Sequence, residues 1–326
     1  MRMIVEQDRF RIRGGFAISR GKRTHAHVVT VTLSDGDLSG RGECTPYARY
    51  GETVESVVGL IEELRPGVEA GTITRETLQT ALPAGAARNA VDCALWDLDA
   101  KRQGVSVASL ANVPEPQAIE TAFTLSVDTP EAMAKVARDN RHRPLLKVKL
   151  AGDGDLERMK AVCSHSGDAR IIVDANEAWS PANVWDWLGE AEALGIELVE
   201  QPLPADQDAI LEHKPHPIPV CADESAHDRA GLSSLEGRYD FVNIKLDKTG
   251  GLSEALHMRD QARAMGFGIF VGCMMGSSLA MAPAALLAGG ADYVDLDTPL
   301  LLDEDRETPL TFKDSLLFPP SRDLWG

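Results

Sequence analysis

Several short apolar runs in the middle of the chain end in an ionisable residue. Asp174, Glu200 and Asp223 each end such a run, and Lys149 and Lys245 end the runs on either side. Counted from Lys147, successive members lie 22 to 27 residues apart, about the length of one strand and one helix. Because parallel strands of a barrel point their carboxyl ends at one mouth, we expect these side chains to meet there.

Three of these residues carry carboxylates, which predicts a metal site. Asp174, Glu200 and Asp223 would converge on one point, where three like charges would repel one another without a cation. Oxygen ligands of this kind suit Mg²⁺, or Mn²⁺ as the alternative, rather than zinc.

The lysines indicate proton transfer. Lys149 and Lys245 fall on the second and sixth predicted strands, so they would face one substrate carbon from opposite sides of the mouth. A nearby cation and partial burial would lower the pKa of both lysines toward neutrality, as a general base requires. Lys147 precedes Lys149 by two residues and therefore shares its face of the strand.

The elements that must position these residues form a repeating pattern after about residue 118. Short apolar runs alternate with amphipathic helical segments, which is typical of βαβ units and a parallel sheet. Eight such units predict a closed (β/α) barrel, whereas the alternative, an open doubly wound sheet, is not favoured by any glycine-rich phosphate loop. The eight predicted strands are residues 122–127, 145–150, 170–174, 197–200, 218–222, 241–246, 268–271 and 293–296.

The first third of the chain has a different pattern. Residues 27–33 are β-branched and predict a strand that ends in a turn at residues 34–37. Residues 53–64 and 86–101 have apolar residues at helical spacing. Strands followed by helices predict a compact α+β unit, joined to the rest through a linker at residues 112–116.

Composition limits the function classes. The 326 residues are 44% hydrophobic and 25% charged, as in an ordinary globular protein rather than a disordered or fibrous one. The 33 basic and 50 acidic residues give a net charge of −17, which argues against binding to nucleic acid or to a membrane surface. Five dispersed cysteines and a start without an apolar leader predict a cytoplasmic protein.

Taken together, these motifs resemble the enolase superfamily, specifically its muconate-lactonizing-enzyme subgroup. The resemblance implies an α/β fold: a (β/α)₇β modified TIM barrel at residues 116–326, with an α+β capping domain at residues 1–115 that the C-terminal segment completes. The motifs that carry it are Lys147-Val-Lys149, Val173-Asp174-Ala-Asn176, Val199-Glu200-Gln-Pro, Ala222-Asp223-Glu-Ser, and Asn243-Ile-Lys245 with the later Thr249-Gly-Gly.

The resemblance also implies a chemistry, which is removal of the proton α to a carboxylate through a metal-stabilised enolate. It assigns a role to each group of residues. Mg²⁺ would bind Asp174, Glu200 and Asp223. Lys149 and Lys245 would be the acid–base pair, and Lys147 would help stabilise the enolate. Asn176 and Glu224 would orient the metal ligands and the lysines without binding the metal themselves.

Two further segments bear on the substrate. Asp295 and Asp297 alternate onto one face of the eighth predicted strand and resemble the pair that holds the substrate ammonium in dipeptide epimerases. Residues 20–24 and 42–52 resemble the two cap loops that close over the substrate. In these loops Arg23 would pair with the side-chain carboxylate of a C-terminal Glu or Asp, and the segment containing Tyr47 and Tyr50 resembles L-Ala-D/L-Glu epimerases.

We therefore expect a Mg²⁺-dependent dipeptide epimerase, an isomerase acting on L-Ala-D/L-Glu in the recycling of cell-wall peptides. Its partner would be a small dipeptide, and we expect no binding to nucleic acid or to a membrane. Whether the chain forms a homo-oligomer is left open. The alternatives are an N-acylamino-acid racemase or o-succinylbenzoate synthase of the same subgroup, and a non-catalytic barrel that binds a metal or a peptide.

Overall fold

The N-terminal unit is a three-stranded antiparallel sheet covered by helices. The computed structural model describes residues 1–213 and 215–326. The strands lie in the order β1-β2-β3. Their bounds are β1 (Arg2–Ile18), β2 (Gly21–Asp35) and β3 (Leu38–Cys44), and the helices are α1 (Val54–Glu69), α2 (Arg75–Ala81), α3 (Ala86–Gln103) and α4 (Val107–Leu110).

Helix α3 packs closely on β3 because two glycines leave room for it. A Cβ atom at Gly40 would overlap the backbone of Leu98, and one at Gly42 would overlap the carbonyl oxygen of Ala90. The apolar face of β2, including Val29 and Val31, completes the core of this unit. The close approach fixes where the chain leaves β3, and therefore where residues 45–52 lie.

The C-terminal unit is an eight-stranded parallel sheet in sequential order. The amide of Ala122 donates to the carbonyl oxygen of Val294 at 2.8 Å, which joins the first barrel strand to the last. After the short strand β4 (Ile119–Glu120), the barrel strands are β5 (Phe123–Leu125), β6 (Leu145–Lys149), β7 (Arg170–Asp174), β8 (Leu198–Glu200), β9 (Val220–Ala222), β10 (Phe241–Ile244), β11 (Gly268–Val271) and β12 (Tyr293–Val294).

An α-helix or a 3₁₀-helix connects each barrel strand to the next, which confirms the predicted barrel architecture. The connections after β8 and β9 are the 3₁₀-helices Asp208–Glu212 and Arg229–Leu235. Each of the eight predicted strands overlaps one strand of the structure. The helices are α5 (Pro130–Asp139), α6 (Asp155–Cys163), α7 (Val184–Ala193), α8 (Leu246–Thr249), α9 (Leu252–Ala264), α10 (Ser278–Leu287) and α11 (Thr298–Leu301), and the strands β13 (Phe312–Lys313) and β14 (Leu316–Leu317) pair with β4 in a small separate sheet. Within the described ranges, no helix is both long and apolar enough to cross a membrane.

The β1–β2 hairpin corrects the expectation for the first third of the chain. Residues 20–24, expected in a loop, form the tip of this hairpin and the start of β2, while residues 42–44 of the second expected loop belong to β3. The pairing of β1 with β2 shifts register between Arg11 and Phe16, where Gly14 and Gly15 have positive φ. Beyond this bulge the hairpin tip reaches the barrel mouth, where Ser19 Oγ donates to the carbonyl oxygen of Asn176 at 2.8 Å.

Candidate active site

Strand register brings the predicted residues together at the barrel mouth. Lys149 lies directly opposite Asp174 across β6 and β7, and Asp174 lies opposite Glu200 across β7 and β8. Asp223 follows the last residue of β9, and Lys245 follows the last residue of β10. Since β6 and β10 are four strands apart in the eight-stranded barrel, the two lysines approach its mouth from opposite sides.

The three acidic residues form a cluster that fits a divalent cation. Asp174, Glu200 and Asp223 are fully buried, and one carboxylate oxygen from each lies within 4.8 Å of the others. Glu200 Oε2 lies 2.6 Å from Lys147 Nζ. Hard oxygen donors at this spacing are what Mg²⁺ or Mn²⁺ would bind.

The lysines contact these carboxylates directly. Lys149 Nζ lies 2.5 Å from Asp174 Oδ2, and Lys245 Nζ lies 2.6 Å from Asp223 Oδ2. Both lysines are buried, yet both line the cleft at the mouth of the barrel. They are therefore placed to reach a substrate between them.

Burial and close ion pairs set the pKa values of the site residues. Burial alone would lower the pKa of Lys245, but the charges of Asp223 and Glu200 outweigh it and hold the pKa well above its usual value. The carboxylates that touch the ammonium account for this direction. Burial and the charge of Asp174 raise the pKa of Glu200 to about 7. In Asp223 the effect of burial is outweighed by Lys245 and Lys248, which hold its pKa well below the usual value.

The Asp295–Asp297 pair lines the cleft, but its two members differ in their surroundings. Asp295 Oδ2 accepts a hydrogen bond from Lys147 Nζ at 2.8 Å. Asp297 Oδ2 accepts one from the backbone amide of Thr124 at 2.6 Å. Burial and the charge of Asp295 raise the pKa of Asp297 to about 7. Asp295 therefore already has a cationic partner, and the two carboxylates are not an equivalent pair.

The cap covers the mouth, and residues of the hairpin, of the segment after β3 and of the barrel line one cleft there. Arg23 lines it with its guanidinium carbon 4.8 Å from the centroid of the Tyr47 ring. Tyr50 also lines it and packs edge-on against His227. The structure thus brings all three predicted cap residues to the cleft.

The two predicted supporting residues lie against the acidic cluster. The Asn176 amide donates to Asp174 Oδ1 at 2.9 Å, and its side-chain Nδ2 lies 3.4 Å from Glu224 Oε1. Glu224 also pairs with Arg20 at 2.7 Å. One oxygen of Asn176 and one of Glu224, Oδ1 and Oε2, are buried and accept no hydrogen bond within the described chain.

Sequence reasoning missed several residues of the site. Arg20 comes from the hairpin tip and bonds to Glu224, and Lys248 contacts Asp223 from behind at 2.6 Å. Lys248 follows Lys245 by three residues on a one-turn helix, a spacing that could have identified it. Arg20 had no comparable signal, because its partner is distant in the chain.

The chain matches two family models over most of its length. Residues 1–111 match the N-terminal domain of the mandelate racemase / muconate lactonizing enzyme family, and residues 130–322 match the enolase C-terminal domain-like family. The chain therefore belongs to the mandelate racemase / muconate lactonizing enzyme family of the enolase superfamily.

Particular members of this family are very similar to it. An L-Ala-D/L-Glu epimerase of Escherichia coli is 48% identical over 91% of this chain and 93% of its own. An N-acetyl-D-glutamate racemase of a Pseudoalteromonas species is 44% identical over 92% of this chain and 95% of its own. Epimerases and racemases are isomerases.

Solved structures agree with this relationship. An enolase family member from Agrobacterium tumefaciens, with homology to dipeptide epimerases and with bound sodium and L-Ala-L-Glu, is 50% identical. It covers 99% of each chain with a TM-score of 0.98. A dipeptide epimerase from Methylococcus capsulatus in complex with Mg and L-Arg-D-Lys is 28% identical over 99% of this chain and 98% of its own, with a TM-score of 0.90.

Proposed function

We propose that this chain is a Mg²⁺-dependent dipeptide epimerase whose preferred substrate is L-Ala-D/L-Glu. The observation that carries the proposal is the placement of Lys149 and Lys245 on opposite sides of one cleft, next to three buried carboxylates. A reaction that moves a proton between the two faces of one carbon needs such a pair. The epimerase relatives and the dipeptide-bound structures support it.

The two lysines would carry out inversion between them. One takes the proton from the α-carbon of the C-terminal residue, and the other, protonated, delivers a proton to the opposite face. Asp174, Glu200 and Asp223 would hold the cation, which supplies positive charge to the substrate carboxylate as the α-proton leaves. Lys147, buried among Glu200 and Asp295, adds a fixed positive charge to the same region.

The ends of the cleft would recognise the two ends of the dipeptide. Asp297 would attract the N-terminal ammonium at the barrel side. Arg23, exposed at the hairpin tip, would pair with the side-chain carboxylate of the C-terminal Glu. Tyr47 and Tyr50 would cover the substrate and limit access of water.

A second candidate is an N-acylglutamate racemase. Asp295 pairs with Lys147 and so has a role that needs no substrate ammonium. A relative at 44% identity is an N-acetyl-D-glutamate racemase. Both candidate substrates carry a Glu residue with its α-carboxylate, so the Arg23 contact does not distinguish them.

The experiment that separates the candidates measures exchange of solvent deuterium into the α-position by mass spectrometry. L-Ala-L-Glu and N-acetyl-L-Glu are compared in D₂O with Mg²⁺ present, since they differ in the ammonium but share the Glu residue. Faster exchange into the dipeptide supports the epimerase. Faster exchange into the N-acetyl compound supports the racemase, and no exchange into either supports a non-catalytic binding protein.

Two variants test the acid–base assignment in the same assay. Lys149→Ala and Lys245→Ala are each expected to abolish epimerisation, because inversion needs both faces. Each single variant is expected to keep some exchange for only one epimer, since the remaining lysine still reaches one face. Full epimerisation by either variant would contradict the two-base scheme.

We further propose a cytoplasmic location and a part in the recycling of cell-wall peptides. We place the boundary between cap and barrel at residues 115 and 116. We take the proposed site groups to come from both units, with Asn176 and Glu224 in the barrel. The wild-type protein can be tested for this boundary by limited proteolysis, which is expected to cut between α4 and β4 before it cuts within the barrel.

A further inference from the structure

Two of the acidic residues have one carboxylate oxygen held by a donor on the barrel framework. Asp174 Oδ1 accepts a hydrogen bond from the backbone amide of Asn176 at 2.9 Å. Glu200 Oε1 accepts one from Asn243 Nδ2 at 2.7 Å. Asn243 lies on β10 and is fully buried, so its amide group has little freedom to move.

The third acidic residue is held by a buried lysine. Lys248 Nζ donates to Asp223 Oδ1 at 2.6 Å. The same ammonium donates to the carbonyl oxygens of Asp223 at 2.6 Å and of Asn243 at 2.8 Å. All three of its protons are therefore used, two of them on backbone atoms that cannot turn away. Lys248 is a fixed part of the barrel.

The opposite oxygens of the same carboxylates face lysine ammonium groups of the site. Lys149 and Lys245 line the cleft, and Lys147 is buried beside them. The pairs are Asp174 Oδ2 with Lys149 at 2.5 Å, Glu200 Oε2 with Lys147 at 2.6 Å, and Asp223 Oδ2 with Lys245 at 2.6 Å. Each carboxylate thus has one oxygen held by a donor of the barrel and one that faces a lysine of the site, where a metal ion would take the place of the ammonium contact.

We propose that Lys248, Asn243 and the amide of Asn176 are positioning groups that restrict the three carboxylates to one oxygen each, and so make the site select Mg²⁺ over Ca²⁺. Mg²⁺ requires near-octahedral geometry with single-oxygen ligands, and three such ligands leave half of the octahedron for substrate and water. Ca²⁺ takes more oxygens at longer distances and often binds carboxylates through both. The inference rests on the metal site of the proposed function.

The restriction is expected to be lost when a fixed donor is removed. In Lys248→Met the side chain keeps its length but cannot hold Asp223 Oδ1, so Asp223 can turn to offer both oxygens. In Asn243→Leu the side chain keeps its approximate size but cannot hold Glu200 Oε1. Both variants are therefore expected to bind Ca²⁺ better relative to Mg²⁺.

The test measures dissociation constants for Mg²⁺ and Ca²⁺ by isothermal titration calorimetry on chelator-treated protein, without substrate. The wild type is expected to favour Mg²⁺, and each variant is expected to shift the ratio of the two constants toward Ca²⁺ by about tenfold or more. The matched control is Asn89→Leu. Asn89 is also buried and donates to the carboxylate of Asp247, which is outside the acidic cluster. The Asn89→Leu protein should therefore keep the wild-type ratio of Mg²⁺ to Ca²⁺ dissociation constants.

The outcomes separate this inference from the proposed function. A wild type that binds neither ion contradicts the metal site itself. A wild type that binds Ca²⁺ as tightly as Mg²⁺ overturns the selectivity, whatever happens to the variants. If Mg²⁺ is favoured but a folded Lys248→Met or Asn243→Leu protein keeps the wild-type ratio, the positioning role is overturned while the metal site stands.

Discussion

Asp297, like Glu200, is a site residue whose pKa is raised to about 7. Burial and the charge of Asp295 raise its pKa to about 7, above the usual value for Asp. Above this pH the carboxylate is charged and can attract an ammonium group. Below it the side chain is neutral and that attraction is lost, so recognition of a dipeptide should depend on pH in a way that recognition of an N-acyl compound does not.

We expect kcat/KM for L-Ala-L-Glu to fall as the pH drops below about 7, approaching tenfold per unit from this group alone. The measurement is a pH–rate profile from pH 5 to pH 8 at constant ionic strength. N-acetyl-L-Glu serves as the control, since other titrating groups affect both substrates. An unchanged ratio of the two profiles across this range would contradict the ammonium contact at Asp297.

Arg23 should decide the preference for an acidic C-terminal residue. We expect Arg23→Gln to lower kcat/KM for L-Ala-L-Glu by about 10- to 100-fold, the usual effect of losing a charged hydrogen bond. L-Ala-L-Gln should be affected much less. Lys22→Gln is the matched control, because Lys22 is the exposed neighbour outside the cleft. Equal losses on both dipeptides would show that Arg23 acts on the fold rather than on the substrate carboxylate.

The barrel elements could be predicted from the sequence, whereas the hairpin could not. Apolar runs closed by ionisable residues, as at Asp174 and Glu200, are local patterns, so strands and site residues could be identified together. Strand β1 alternates polar and apolar residues, which is a local signal of a strand, but its pairing with β2 and the register shift between Arg11 and Phe16 have no local signal. Contacts such as Arg20 with Glu224 join distant segments, and only the folded chain reveals them.

Glu177 links both cap segments to the barrel. It lies in the loop after β7 and forms two hydrogen bonds of 2.7 Å with Arg49, one to Nε and one to Nη2. Its Oε2 also accepts a hydrogen bond from Arg20 at 3.2 Å. Since Arg20 belongs to the hairpin tip and Arg49 to the segment after β3, a single carboxylate holds both segments over the cleft.

We expect Glu177→Gln to loosen the cap segments and to raise KM for the dipeptide several-fold with a smaller change in kcat. Trypsin should cut the variant faster at Arg20 and Arg49 than it cuts the wild type. Glu190→Gln is the control, because Glu190 is a half-buried barrel residue whose carboxylate lies 3.9 Å from Lys160. If the variant resists trypsin as well as the control does, Glu177 does not hold the cap closed.

At the scale of the whole molecule, buried carboxylates join the cap to the barrel. Asp247 on α8 accepts hydrogen bonds at Oδ1 from the Thr45 amide at 3.0 Å and from Asn89 Nδ2 at 2.9 Å. Burial raises its pKa to about 7. Because the pKa is higher in the folded chain than in the unfolded one, this group stabilises the fold at acidic pH. That contribution is lost as the pH rises through about 7.

Asp247→Asn should keep both hydrogen bonds, since both donors meet the same oxygen, and should remove the cost of burying a charge. We expect the variant to be more stable than the wild type by about 2–4 kcal/mol at pH 8, with most of the difference gone at pH 5. Urea unfolding at the two pH values measures this. Asp139→Asn, at an exposed helix end, should show no such dependence, and a variant less stable than wild type at pH 8 would contradict the assignment.

The last described residues lie against the first unit. Trp325 Nε1 donates to the carbonyl oxygen of Cys93 at 3.0 Å, and the Gly326 amide donates to Asp97 Oδ1 at 2.8 Å, both on α3. During synthesis α3 leaves the ribosome long before Trp325 is made. The surface of α3 that Trp325 later covers therefore stays open to water until the whole barrel has been translated. Apolar surface that is exposed during folding favours aggregation, so this interval is one in which a newly made chain can associate with others.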